Sequence, residues 1–284
     1  MKGFSLSRQL ARLVLTVVGL LIVFVMLYPL LYVVVSSFVA GQVLVTGLGD
    51  LAKYRLSLEH YVDAVSDPRF VSAALTSVVV ALGNILVSIL VITPAAYAFS
   101  RFSFRGKDTL LVLYLVLSQV GGGFGVAAVV ALYVFLLKLN VLGLPVIGNP
   151  LILPFIYTAG AVPFQTWLIK NYFDSLPRSL DEAAFIDGAS WRQIIFRVIL
   201  PASKPALIII AMFAFMGAWG EFIMASFLRV ETLAAYIYET ATGQTIYWSD
   251  FAARTIIFSI PLIAVYAFSQ KYIGEAMRYG AGKM

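Results

Sequence analysis

Residues 71–100 read VSAALTSVVVALGNILVSILVITPAAYAFS, thirty positions without a single Asp, Glu, Lys or Arg. A helix needs about 20 mostly apolar residues to cross the hydrocarbon core of a bilayer. This stretch exceeds that length, and it sets the reading of the whole chain. Working outward, five further segments between charges qualify: residues 13–35, 109–137, 150–169, 205–228 and 251–270. The fifth is interrupted by Glu221, and the sixth carries Arg254 near its start. The first segment is too long for a cleaved leader and lacks a small-residue cleavage end, so it reads as a retained span.

The composition agrees. Of 284 residues, 61% are hydrophobic and 12% charged, about half the charge of a soluble domain. An aromatic content of 14% excludes a disordered chain. No cysteine is present, which removes disulfides and thiolate chemistry. The single histidine, His60, argues against histidine-based metal clusters and Ser/His triads. No catalytic or metal-ligating set emerges. The expected fold is all-α: one polytopic membrane domain, residues 1–284, with six transmembrane helices.

Six spans place both termini on one side. With the termini inside, fourteen Lys and Arg fall on the inner segments and six on the outer ones. The positive-inside rule then predicts cytoplasmic termini in a multi-pass protein of the cell membrane. The same asymmetry accounts for the net charge of +6 without nucleic acid. In the long outer segment 37–70, Ser57-Leu58-Glu59-His60-Tyr61 predicts a short capped helix ending before Pro68, with His60 solvated.

The most informative polar stretch is the inner loop 174–204. Ser179-Leu180-Asp181-Glu182 has the spacing of a capping box, and Asp181 and Glu182 lie where the helix dipole favours negative charge. Gly188 is placed to end that helix in a left-handed conformation. Ser190-Trp191-Arg192-Gln193 repeats the device, and Pro201 predicts an end near Leu200. Two short helices joined at Gly188-Ala189 result. Phe185, Ile186, Trp191 and Ile194 give them more apolar surface than a free loop needs. Those side chains either lie against the protein's own helices or mark an interface.

Here the chain resembles a known family. Glu182-Ala183-Ala184, then Gly188, then Val198-Ile199-Leu200-Pro201, is similar to the EAA loop of binding-protein-dependent ABC importers, with Val198 where Ile is usual. Trp167-Leu168-Ile169-Lys170-Asn171-Tyr172-Phe173, Trp248-Ser249-Asp250-Phe251-Ala252-Ala253 and Gln270-Lys271-Tyr272 with the glycine-rich basic end resemble the carbohydrate permeases, specifically the six-span subunit of maltose- and trehalose-type transporters. Thr76-Ser77 stands where many of them have Asn-Ser. The resemblance implies an ABC type I importer permease that forms half of a pathway for a di- or oligosaccharide. It implies docking through Asp181, Glu182, Ala183, Ala184, Asp187, Gly188, Ala189 and Trp191. The implied partners are two copies of an ATPase subunit, a second and different permease subunit and an extracellular solute-binding protein. It also suggests that the tail, residues 271–284, inserts between the ATPases.

The chain has no G-x-x-x-x-G-K-[ST] loop, so no cofactor is expected on it and ATP with Mg belongs to the partner ATPase. Glu221 within a span is a functional candidate by default. With Trp219 and Gly220 it is the expected pathway or gate element, though pairing with Arg229 or Arg254 is the bland alternative. Tyr157, Trp167 and Trp219 could stack on sugar, or belong to the interfacial belt. Gly121-Gly122-Gly123 and Gly125 suggest close helix packing or a loosened helix. Two other classes stay open. An ion-coupled secondary carrier would need buried coupling carboxylates, and an integral membrane enzyme would need a catalytic cluster at a membrane face.

Overall fold

The computed structural model describes the backbone of residues 6–41, 54–123, 125–243 and 248–281. Side-chain surroundings are described for these residues except 6–9, 117, 119–126 and 275–281. The order of helices is α1 Leu6–Ser36, α2 Glu59–Ser66, α3 Pro68–Arg101, α4 Lys107–Gly123, α5 Gly125–Val141 and α6 Leu153–Ser175. There follow α7 Ser179–Ile186, α8 Trp191–Ala202, α9 Lys204–Gly220, α10 Ile223–Phe227, α11 Leu233–Thr242 and α12 Trp248–Ala281. The fold is all-α; the extended structure among the described residues is a single antiparallel bridge, Val39 to Leu56.

Among the described residues, four helical segments are long and apolar enough to cross a bilayer: Leu10–Ser36, Pro68–Arg101, Pro150–Ser175 and Trp248–Gly274. They contain the expected spans 13–35, 71–100, 150–169 and 251–270. The other two expected spans differ. Residues 109–137 are shared between α4 and α5, helices of 17 residues each on either side of Phe124; Phe124 and the surroundings of the neighbouring glycines lie outside the described residues. Residues 205–228 are not one helix: α9 stops at Gly220. Counting α8 and α9 as one bent span, with an 85° break between them, raises the number of spans to five.

The chain divides into two compact units, residues 1–68 with 239–259, and residues 69–238 with 260–284. In the first unit α1, from Leu10 onward, exposes nearly every apolar side chain, which suits a helix in lipid. Its C-terminal end is tied to α2. The Ser37 hydroxyl is 2.7 Å from that of Tyr61, and Ala40 N donates to Arg55 O at 2.8 Å. Gly41 N donates to the Glu59 carboxylate at 2.6 Å, which holds that carboxyl below its ordinary range. His60 is not solvated as expected: it is 3% exposed. Its Nε2 lies 2.9 Å from Val39 O and its Nδ1 2.5 Å from Asp250 Oδ1. A carbonyl can only accept, so Nε2 carries a proton. Arg254, one of the two arginines offered as the bland alternative partner for Glu221, has its guanidinium 3.5 Å from Asp67.

The second unit is organised around α3. Asn84, on its buried face, donates to Ala214 O of α9 at 2.7 Å and accepts from Thr158 of α6 at 2.9 Å. Ser88 lies 3.1 Å from the same threonine hydroxyl. One side-chain cluster thus joins three helices where no water is available to satisfy polar atoms. Next to Asn84, Gly83 has no room for a side chain: a Cβ there would stand 2.9 Å from Pro154 Cγ. Ser77, in the pair that departs from the usual Asn-Ser, is 1% exposed, and its hydroxyl accepts from Leu233 N at the start of α11 at 2.7 Å. Serine therefore caps the first turn of α11 across the fold.

Replacing Asn84 with Ala leaves Ala214 O and the Thr158 hydroxyl short of a partner. The expected loss is about 0.5–2 kcal/mol, the range found for interhelical hydrogen bonds, read as a lower melting temperature of the detergent-solubilised protein. An unchanged melting temperature would contradict the role assigned to this cluster.

Candidate functional site

The loop between α6 and α9 is built as a pair of short helices on a buried base. α7 starts one residue earlier than a cap at Ser179 suggests, with Arg178 at the cap position: Leu180 N donates to Pro177 O, and Asp181 N and Glu182 N donate to Arg178 O. Ser179 is therefore inside the helix and makes no capping bond, so the first expected capping box is absent. Pro177 lies just before this cap, and its carbonyl accepts from Leu180 N. Asp181 and Glu182 still occupy the first turn, where the helix dipole favours both.

The turn follows the sequence. Gly188 has φ +78°; Gly188 N donates to Phe185 O and Ala189 N to Ala184 O, each at 3.0 Å. This paired bonding satisfies the last carbonyls of α7 and requires the left-handed residue at Gly188. A Cβ at Gly188 would meet nothing within 4 Å, so the need for glycine comes from the backbone alone. Ser190 then caps α8 in full: Gln193 N donates to Ser190 Oγ at 3.4 Å and Ser190 N to Gln193 Oε1 at 2.8 Å. The second helix does not end near Leu200. Residues 194–199 are π-helical and helix resumes through Ala202. The wider turn places Pro201 at the start of the next helical segment, where its missing N–H costs little.

The loop has two faces. Asp181, Ala184 and Ile194 point inward and are buried. Ala184 and Ile194 join a core with Ile92, Ala96, Tyr97, Ile169, Phe173 and Ile199, drawn from α3, α6 and α8. Asp181 is 8% exposed; its Oδ1 accepts from Tyr97 Oη at 2.6 Å and its Oδ2 lies 2.9 Å from Arg101 Nε. It therefore faces its own chain, contrary to the expectation that it docks a partner. Glu182, Ala183, Asp187 and Gly188 lie on the opposite, exposed face, with Ala189 half-buried. Ile186 is 86% exposed. Phe185 and Trp191 sit edge to face with centroids 4.3 Å apart, and Trp191 also meets Phe102 at 5.0 Å. The apolar residues thus divide: Ile194 packs within the chain, while Ile186 is exposed.

The expected pathway element, Trp219-Gly220-Glu221, marks a break in the helix. α9 ends at Gly220 and Glu221 is extended, with ψ 125°. The Glu221 carboxylate accepts from Met224 N at 2.8 Å and Ala225 N at 3.3 Å, and from Tyr157 Oη at 2.5 Å. It caps the short helix α10 instead of pairing with Arg229 or Arg254. Arg229 has φ +56° and closes the other end of α10, a place usually held by glycine. Trp219 is 4% exposed and stacked on Phe215 with centroids 5.2 Å apart. Tyr157 as the partner of Glu221 was not foreseen; the two are 64 positions apart, and no local spacing signals the pair.

Comparison with known proteins bears on this arrangement. The family described as binding-protein-dependent transport system inner membrane component matches residues 85–279, which include α6 to α9. Among curated relatives, the maltodextrin transport system permease protein MalD of Streptococcus pneumoniae is 30% identical over 99% of both chains. The trehalose/maltose transport system permease protein MalG of Thermococcus litoralis is 32% identical, covering 96% of this chain and 98% of its own. Among solved structures, a chain of a bacterial ABC transporter involved in the import of the acidic polysaccharide alginate superposes with a TM-score of 0.74 at 22% identity, covering 96% of this chain and 99% of that one. Sequence match and shared fold agree over nearly the full length, and this chain belongs to the family of binding-protein-dependent transport system inner membrane components.

Proposed function

We propose that this chain is a permease subunit of an ATP-driven, binding-protein-dependent importer of di- or oligosaccharides of the maltose, maltodextrin or trehalose class. The reading of the substrate rests on relatives whose names describe maltose, maltodextrin or trehalose transport; another at 31% identity is named for galactooligosaccharides. The observation that carries the mechanism is the two-faced loop: Asp181, Ala184 and Ile194 fix it to the spans while Glu182, Ile186, Asp187 and Gly188 stand exposed. An element anchored on one side and bare on the other suits docking to a separate ATPase. The ATPase, in two copies, would supply ATP and Mg chemistry, and a second permease subunit would complete the pathway. An extracellular solute-binding protein would deliver the sugar.

In this reading the chain spans the membrane six times, with α4 and α5 contributing the third span and both termini in the cytoplasm. The basic tail reaches toward the ATPase pair. The Gly220–Glu221 break lines or gates the pathway, its capping bonds giving the span a defined point of bending. A secondary carrier is disfavoured because the chain matches permeases that work with binding proteins.

Gly188→Val forces a β-branched residue into φ +78°, which such residues tolerate poorly. Membrane abundance should stay near wild type, while ATPase co-purification and sugar uptake are lost. Glu182→Lys should act the same way, reversing the charge of an exposed first-turn carboxylate. A Gly188→Val protein that transports normally at normal abundance would contradict docking through this turn.

Topology has its own check, made clean by the absence of native cysteine. A cysteine at Arg55 should react with an impermeant thiol reagent applied outside intact cells, and one at Arg105 should not. The reverse pattern would overturn the termini-inside arrangement.

A further inference from the structure

Docking uses the exposed face of the loop and leaves its most conspicuous buried group without a task. Asp181 sits at the root of α7, 8% exposed, held by Tyr97 and Arg101 from the last two turns of α3. The same end of α3 grips the segment before α7 as well. Ser100 Oγ donates to Asp174 Oδ1 at 2.7 Å, and Arg101 Nη2 to Leu176 O at 3.3 Å. Tyr97 also lies edge to face with Phe173 and Phe102.

Packing does not require these polar bonds. Ala184 and Ile194 already bury α7 and α8 on an apolar core, and a buried ion pair adds little net stability over well-packed apolar side chains. What the pair adds is direction. Apolar surfaces can slide by an ångström at small cost, whereas a carboxylate held from two sides at 2.6 and 2.9 Å cannot shift without leaving a buried charge unpaired. The Asn84 cluster, four to five turns up the same helix, ties α3 to α6 and α9. A displacement received at residues 97–101 therefore reaches three helices.

We propose that the Tyr97–Arg101–Asp181 group is the joint through which movement of the docking loop is passed to α3, with Asp181 as its positioning residue. The proposal rests on the ATPase-docking reading and adds the internal contact that would make docking useful.

The test uses the complex purified through a tag on this chain, with paired spin labels on cysteines introduced at Ile186 of α7 and Val79 of α3, both exposed. With the joint intact, vanadate trapping of the ATPase should leave the label-to-label distance unchanged, because loop and helix move together. In Asp181→Asn the ATPase should still co-purify, within about two-fold of wild type, and the distance should change on trapping; a coupling of this kind is typically worth about 5- to 150-fold in an equilibrium constant. Removing one member of a buried pair can impair folding, so two further variants accompany it. Tyr97→Phe keeps the ion pair and should give a partial change. Arg101→Asp combined with Asp181→Arg should restore the fixed distance. A distance that stays fixed in both Asp181→Asn and Tyr97→Phe would overturn the joint while leaving docking intact. Loss of abundance in Asp181→Asn that the exchanged pair repairs without restoring a fixed distance would assign a purely structural role and overturn it too. A wild-type complex that captures no ATPase would overturn the docking reading, and the joint with it.

Discussion

Water is absent from the hydrocarbon layer, so every polar group on a span must be satisfied within the protein. That constraint selects where this chain can bend and where helices must meet. The Asn84 side chain, unable to be solvated, ties α3 to Ala214 and Thr158. Glu221, a carboxylate that would be costly within an unbroken span, is accommodated because the helix stops at Gly220 and offers two backbone N–H groups and the Tyr157 hydroxyl. The break and the charge explain one another. The carboxylate satisfies the first amides of α10, and the broken helix satisfies the carboxylate.

The same logic separates the two faces of the loop between α6 and α9. Residues turned to the chain's own core are either apolar, as Ala184 and Ile194, or held by a hydroxyl and a guanidinium of the same chain, as Asp181. Residues turned away include the bare Ile186 and charged Glu182 and Asp187. A loop serving only to connect α6 to α9 would have no reason to combine a rigid buried root with an apolar residue standing free. Rigidity at the root also has a mechanical sense: Gly188 and the Ser190–Gln193 box fix the turn locally, and the end of α3 fixes it to the spans.

What could be read from the sequence follows the range of each interaction. The turn at Gly188 and the Ser190–Gln193 box involve partners within a few positions, so composition and spacing suffice. The hydropathic runs of α1, α3, α6 and α12 are legible because one apolar helix satisfies its own backbone. Ser179 misleads because Arg178 takes the cap position and its carbonyl accepts from Asp181 N and Glu182 N. The inward turn of Asp181 depends on Tyr97, 84 positions away, and the burial of His60 on Asp250, 190 positions away. No local pattern encodes such pairs. The fifth span reads as continuous because hydropathy cannot register a backbone that changes from helix to extended at one residue.

The central claim is that the exposed edge of α7 is the surface that meets the ATPase. It is tested most directly by placing a photoreactive amino acid at Ile186, 86% exposed, and irradiating the complex in its native membrane. The account predicts a cross-link from Ile186 to an ATP-hydrolysing subunit, and none from the inward-facing Ile194 used as a control. Cross-linking of Ile186 only within this chain or to lipid would contradict it.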